Sequence, residues 1–235
     1  MAHLAASLVL ARVRQQPSLV LGLATGMTMV PFYRELVAQH LADGVSLRDV
    51  RVFALDEYRG ADPAHPGSCR GFLDQHILRQ VDFTPAHVHL LDGRAADPLA
   101  ECASYEDALR AAGGVDIQVL GIGGNGHIGF NEPGSPFESR TRVVTLSDKT
   151  RRANAPQWGG DPERVPAEAL TMGIGTILDA RTCLLLAYGS GKAAPVAAAA
   201  EGAVTLSVPA SSLQSHRETV FLLDAAAAAQ LSRPE

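Results

Sequence analysis

Four short stretches carry the residues able to move protons or hold an anion. The richest is 115–135, VDIQVLGIGGNGHIGFNEPGS. It begins as an apolar strand, Val115 to Leu120, and opens into a loop with glycines at 121, 123, 124, 126 and 129. Asn125, His127, Asn131 and Glu132 sit inside that loop. Glycine lets a backbone approach a ligand closely, and histidine is the side chain most readily tuned to exchange protons near neutrality. The second stretch places Asp56 just past an apolar run, Val50 to Leu55. The third is Ala24-Thr25-Gly26-Met27-Thr28, between a short strand and a helix, where free amides and the helix dipole favour phosphate. The fourth puts Lys192 at the start of a helix, beyond the strand Thr182–Tyr188, as a point charge suited to phosphate. Each has a plainer alternative: a solvent-facing His, an Asp capping a turn, a Thr N-cap, an exposed helix lysine. GIGGNG is only a loose match to a dinucleotide fingerprint, because Phe130-Asn131-Glu132-Pro133-Gly134 is turn chemistry and no helix opens after Gly126.

The elements that must hold these residues alternate between strand and helix. Helices are expected over 3–15 (Leu4, Leu8, Val9 and Val13 near helical spacing), from about 28 to 41, from an N-cap at Ser68 to about 79, over 98–112, over 166–179 with Gly173 and Gly175 as candidate breaks, after Lys192 and over 224–232. Strands are expected at 18–23, 50–55, 88–91, 115–120, 142–146, 182–188 and 220–223. This alternation predicts an α/β fold, a three-layer α/β/α sandwich around a mostly parallel, Rossmann-like sheet. Strand carboxyl ends are where such sheets bind ligands. Residues 148–165 are polar and hold Pro156, Trp158, Gly159, Gly160 and Pro162, the natural lid. The expectation is one domain over 1–235 with that small mobile lid.

Composition narrows the class. A net charge of −5 points to neither nucleic acid nor an anionic membrane as partner. No apolar run reaches spanning length, and Arg12, Arg14, Gln15 and Gln16 interrupt the first segment, so no signal peptide is expected. Cys69, Cys102 and Cys183 are odd in number and far apart, which predicts reduced thiols and a cytoplasmic protein. His87 and His89 share a strand face, a minority metal reading without a third ligand nearby.

The string NGHIGFNEPGSPFESRTRVVTL (125–146) resembles the signature of the glucosamine-6-phosphate deaminases, also called isomerases. LGLATGMT (21–28), FALDEYRG (53–60), HPGSCRGFLDQHIL (65–78), VPAEALTMGIGTILDA (165–180) and GSGKAAPVAAAAEGAV (189–204) also look like family segments, in family order. The resemblance implies a cytoplasmic deaminase, hydrolytic overall, that converts D-glucosamine 6-phosphate and water to D-fructose 6-phosphate and ammonia in N-acetylglucosamine catabolism. It implies no metal and no organic cofactor, a phosphosugar as the only partner, and a monomer or homo-oligomer. It assigns Asp56 as the base at C2, His127 as the ring-opening shuttle, and Asn125 with Glu132 as its relay, Glu132 holding the imidazole's tautomer. It assigns the phosphate to Thr25, Gly26, Met27, Thr28 and Lys192.

Three departures stand out. Met27 and Met29 replace the family's glycine and proline, and Pro156 stands where a phosphate-binding arginine is usual, with Arg151, Arg152 or Arg164 as candidate replacements. Val144 stands where allosterically regulated members carry lysine, so no activation by N-acetylglucosamine 6-phosphate is expected. Two other readings stay open: a sibling enzyme on another phosphosugar, such as galactosamine 6-phosphate or a lactone, and a non-catalytic sugar-phosphate sensor. The related 6-phosphogluconolactonases lack the F-N-E-P continuation, and sensors of this fold carry a DNA-binding segment not seen in residues 1–20.

Overall fold

The computed structural model describes residues 1–232. In chain order the elements are α1 (Ala2–Gln15), β1 (Val20–Leu23), α2 (Met29–Asp43), β2 (Arg51–Ala54) and β3 (Asp56–Tyr58). Then come α3 (Cys69–Leu73), which runs on as a wider helical turn through Leu78, β4 (Val88–His89), α4 (Pro98–Ala111) and β5 (Ile117–Gly121). The remainder is β6 (Arg142–Thr145), α5 (Asp148–Asn154), β7 (Glu168–Thr171), α6 (Ile174–Leu178), β8 (Thr182–Ala187), α7 (Ala193–Ala200) and β9 (Thr219–Leu223).

Six strands form one parallel sheet in the order β4-β2-β1-β5-β8-β9, flanked by helices. The strands read as near-continuous apolar runs because both faces are covered; β1 is buried throughout, and Val119, Leu120 and Cys183 to Ala187 lie in the same core. From β1 the order runs outward through β2 to β4, and from β5 it runs the other way through β8 to β9. The reversal between β1 and β5 is the switch point where a crevice opens beyond the strand ends.

A second sheet was not foreseen. It is antiparallel, in the order β3-β7-β6. Its β7 lies where the sequence predicts a helix over 166–179; only Ile174–Leu178 is helical. Residues 168–171 pair on both sides, with β3 and β6, and that pairing outweighs local helix preference. A side chain at Gly173 would meet the Ser139 carbonyl at 2.1 Å, which explains the glycine there. The expected helix over 224–232 is a run of turns instead: Asp224 caps Ala227 N at 2.7 Å, and no ladder follows despite the alanines. On α1 the inward residues are Ala5, Ala6, Val9, Leu10 and Val13, while Leu4 and Leu8 face out.

The chain changes sheets at Leu55–Asp56. Leu55 N still donates to Leu23 O (2.8 Å), whereas Asp56 is already opposite Thr171 in the second sheet. The segment 148–165 packs on that small sheet around a second core containing Tyr58, Phe130, Leu146, Trp158 and Val165. Trp158 is its anchor: it stacks on His65 (centroids 4.4 Å, 15°) and meets Tyr58 edge-on at 5.3 Å. Such aromatic pairs add about 0.5–1.5 kcal/mol each beyond burial. Gly67 leaves room for this seat, since a Cβ there would lie 2.7 Å from Gln157 O. His65 is therefore structural, and its Nδ1 accepts from Gly67 N at 3.0 Å.

Candidate active site

The crevice at the switch point encloses about 360 Å³. Its wall contains Thr25 to Thr28, Asp56, His127, Lys192 and, from the 148–165 segment, Ala153, Asn154 and Gln157. Three of the four stretches singled out in the sequence thus meet the fourth, the His loop, in one cavity.

The turn after β1 forms one end of the cavity. Gly26 has φ +101°, a left-handed conformation that only glycine adopts cheaply. Met29 N donates back to Gly26 O at 2.9 Å, while the amides of Gly26, Met27 and Thr28 donate to no acceptor among the described residues. Thr28 occupies the N-cap position of α2, but its hydroxyl makes no capping bond, and the residue lines the cavity. Met27 and Met29 find different solutions to replacing glycine and proline. The Met27 side chain is 69% exposed, and Met29 is fully buried beneath the turn. Tyr33 OH donates to Ala24 O (2.5 Å) and fixes the start of the turn. Lys192 lies across the cavity, where its Nζ donates to Ile122 O at 2.7 Å, and partial burial lowers its pKa.

Asp56 is 5% exposed and lines the cavity. Burial pushes its carboxyl up to about 7, helped by the Glu57 charge and opposed by a hydrogen bond from the Cys69 thiol. Glu57 plays a different part. Its carboxylate accepts from the amides of Tyr58 (2.8 Å), Cys69 (3.0 Å) and Arg70 (2.9 Å), so it ties β3 to the first turn of α3. Ser68 caps α3 as its position predicts, accepting from Gly71 N at 2.9 Å.

The His loop builds a relay. His127 Nδ1 lies 2.7 Å from Asn125 Oδ1, and Asn125 Nδ2 donates to Glu132 Oε2 at 2.7 Å. Because Nδ2 must face the acceptor-only carboxylate, Oδ1 faces the ring, and the network assigns the proton to Nδ1. Nε2 is left unprotonated. Asn125 therefore orients the imidazole, and Glu132 acts through it; the direct Glu132–imidazole contact implied by the resemblance is replaced by this two-step chain. Burial lowers the His127 pKa and so favours the neutral ring, partly offset by the Glu132 charge. The ring lies flat over Gly123, where a Cβ would come within 2.2 Å of it.

Glu132 itself is pushed up by burial, but the hydrogen bonds from Thr150, Asn125 and Ser147 outweigh that and hold its pKa below the usual range. Ser147 Oγ donates to Oε1 at 3.0 Å, and Thr150 Oγ1 donates to the same oxygen. Ser147 is also the N-cap of α5, accepting from Thr150 N. The relay and the first turn of the 148–165 segment thus share one carboxylate. The backbone of the loop hangs on Asn131, fully buried, whose Nδ2 donates to Ile128 O and Met172 O and whose Oδ1 accepts from Arg142 at 2.8 Å. Sequence reasoning missed Cys69, Ser147 and Thr150. The only local signal was the S-x-x-T pattern of a capped helix start.

None of the three candidate arginines reaches the cavity wall. Arg151 is committed to Val165 O and Glu163, Arg164 pairs with Asp161, and Arg152 is exposed. His89 stacks on Phe53 and His87 bonds Arg48 O; no cluster of metal-ligating side chains occurs among the described residues. Cys69, Cys102 and Cys183 are free and buried, and no helix among the described residues is long and apolar enough to cross a membrane.

A parallel α/β sheet with a turn of free amides, a buried carboxylate and an oriented imidazole at its switch point defines a class, the Rossmann-like sugar-phosphate enzymes. Within that class, residues 1–222 match the model of the glucosamine-6-phosphate isomerases/6-phosphogluconolactonase family, and the chain belongs to it. It is 48% identical over 234 residues to the glucosamine-6-phosphate deaminase of Shewanella loihica, covering 100% of this chain and 87% of the relative. It is 45% identical over 229 residues to glucosamine-6-phosphate deaminase 2 of Bacillus subtilis, covering 97% of this chain and 92% of that one. The solved structure of a monomeric glucosamine-6-phosphate deaminase superimposes with a TM-score of 0.95 at 41% identity, covering 97% of this chain and 95% of the other. The 6-phosphogluconolactonase of Trypanosoma brucei, at 20% identity and TM-score 0.77, shares the fold.

Proposed function

We propose that this chain isomerises and deaminates D-glucosamine 6-phosphate to D-fructose 6-phosphate and ammonia, in amino-sugar catabolism. One observation carries the reading: Asp56, His127 and the 25–28 turn, far apart in the chain, line one 360 Å³ cavity, in a fold shared with deaminases.

The phosphate rests on the amides of Gly26, Met27 and Thr28, with the Thr25 and Thr28 hydroxyls beside it and Lys192 as the counter-charge. His127, neutral with its lone pair on Nε2, takes the proton from the C1 hydroxyl and returns one to the ring oxygen, opening the ring. The transient imidazolium is stabilised by Glu132 through Asn125, which as an amide relays charge by orientation and takes up no proton itself. Asp56 then removes the C2 proton, the C–H electron pair becomes the C1–C2 double bond of an enolamine as the C1 carbonyl π pair moves onto its oxygen, which takes up a proton, and the proton held by Asp56 is returned to C1. The resulting imine at C2 takes up water and releases ammonia, so the net reaction is hydrolytic at the C2–N bond. A raised carboxyl pKa makes Asp56 a stronger base for a carbon acid than a solvated aspartate. No step calls on a metal or organic cofactor. Three free buried thiols support a reducing, cytoplasmic setting.

The test is ammonia release from glucosamine 6-phosphate and from galactosamine 6-phosphate. Turnover of the first at higher kcat/KM supports the reading; turnover of neither removes it. A preference for the second substrate would favour the sibling reading, which has one observation behind it. The 148–165 segment presents the neutral amides of Asn154 and Gln157 to the cavity in place of an arginine.

A further inference from the structure

Among the described residues, the Asp56 side chain has one hydrogen-bonding partner. Cys69 Sγ lies 3.3 Å from Asp56 Oδ1 and donates to it. The same sulfur accepts from the Thr25 hydroxyl at 3.7 Å. Cys69 is 2% exposed and opens α3, and the contact of its amide with Glu57 fixes where the thiol sits. A row of donors therefore runs from the anion-binding turn, through sulfur, to the carboxylate.

We propose that Cys69 is a positioning residue for the reaction: its thiol, held between Thr25 and Asp56, pins one carboxylate oxygen and leaves the other to meet the substrate's C2 hydrogen. The proposal rests on Asp56 being the base. A thiol suits the task because it is a weak donor. A hydroxyl or a cation at this place would stabilise the carboxylate anion and blunt its basicity. An aliphatic side chain would leave the carboxylate free to rotate. The thiol keeps its own proton, since burial and the Asp56 and Glu57 charges push its pKa up. The other titratable groups that share charge interactions with Asp56 are Glu57 and Tyr58 on β3, Tyr33 on α2 and Tyr105 on α4, and His127 and Lys192 line the same cavity. Tyr33 and Tyr105 spend their hydroxyls on the carbonyls of Ala24 and Ala54, at 2.5 Å each, so neither competes with sulfur for Asp56.

The experiment compares the pH dependence of kcat and KM for wild type, Cys69→Ala and Cys69→Ser, with Asp56→Asn as the reference for loss of the base. Removing a donor that favours the ionised carboxylate moves the acid limb of kcat to higher pH. Cys69→Ala is thus expected to lose about three- to ten-fold in kcat at pH 6, equivalent to half to one pH unit, with KM within about twofold. Cys69→Ser substitutes a stronger donor and moves the limb to lower pH. An Ala profile that superimposes on wild type overturns the proposal, as does a loss confined to KM or an equal loss at every pH in both variants. Where Cys69→Ala does not fold, Cys69→Ser decides alone, and an unmoved limb overturns it. An Asp56→Asn enzyme with wild-type activity would instead sink the underlying reading of the base.

Discussion

Replacing Asp56 by Asn should abolish most of the activity and, at alkaline pH, make the protein more stable. The carboxyl is raised from 3.8 to about 7 by burial. A raised folded-state pKa means the fold favours the protonated form. The stabilisation it brings is fully present below the unfolded pKa near 3.8 and is lost as pH rises through about 7. Above pH 7 the fold carries an ionised carboxylate that it disfavours, by roughly three pH units at 1.36 kcal/mol each, or about 4 kcal/mol at most. Its place in the wall of a cavity open to solvent reduces that toward about 2 kcal/mol. Asparagine has the same shape, keeps an oxygen for the Cys69 thiol and never ionises. Its gain should therefore be absent near pH 4, grow through pH 5–7 and level off above, reaching about 2–4 kcal/mol. For a chain of this length that is a Tm increase of at least about 4 °C at pH 8. Thermal unfolding of both proteins from pH 4 to 9 measures it. A difference independent of pH, or a gain smaller at pH 8 than at pH 4, would refute the claim that Asp56 is destabilised by ionising. In the same variant kcat should fall by roughly 10²–10⁴ as proton abstraction is lost.

The remaining predictions follow from the same geometry. The kcat/KM of the wild type should rise with pH through about 7 as Asp56 ionises; a limb near the ordinary carboxylate range would contradict the burial argument. Lys192→Met should raise KM about 10- to 100-fold through loss of a charge-assisted contact, with kcat less affected; a KM that does not change would show that the turn alone holds the phosphate. Thr150→Val removes one donor from Glu132 and should lower kcat several-fold, with Thr150→Ser restoring it; full activity in the valine variant would separate the 148–165 segment from the relay.

Several features were legible locally. The order of elements around the parallel sheet follows from alternating apolar runs and turn residues, because strand and helix periods are written in neighbouring positions. Ser68 as a cap and the strand at Arg142–Thr145 were readable for the same reason. Asp56, His127 and Lys192 stood out by type and place, each just beyond a strand end. Local reasoning failed where partners are distant. Residues 168–171 became a strand because β3 and β6 were there to pair with them, and the alanines after Asp224 stayed in turns.

What the sequence alone determined, then, was which residues stand at the ends of which strands. Only the tertiary structure decided what each faces. It buried Asp56 at the point where the chain leaves one sheet for another, set Asn125 between His127 and Glu132, put Cys69 against the carboxylate, and kept the arginines of residues 148–165 out of the cavity wall. Burial and hydrogen-bond partnership are properties of packing between segments more than a hundred residues apart, as Asp56 and Thr171 are, and no local pattern encodes them.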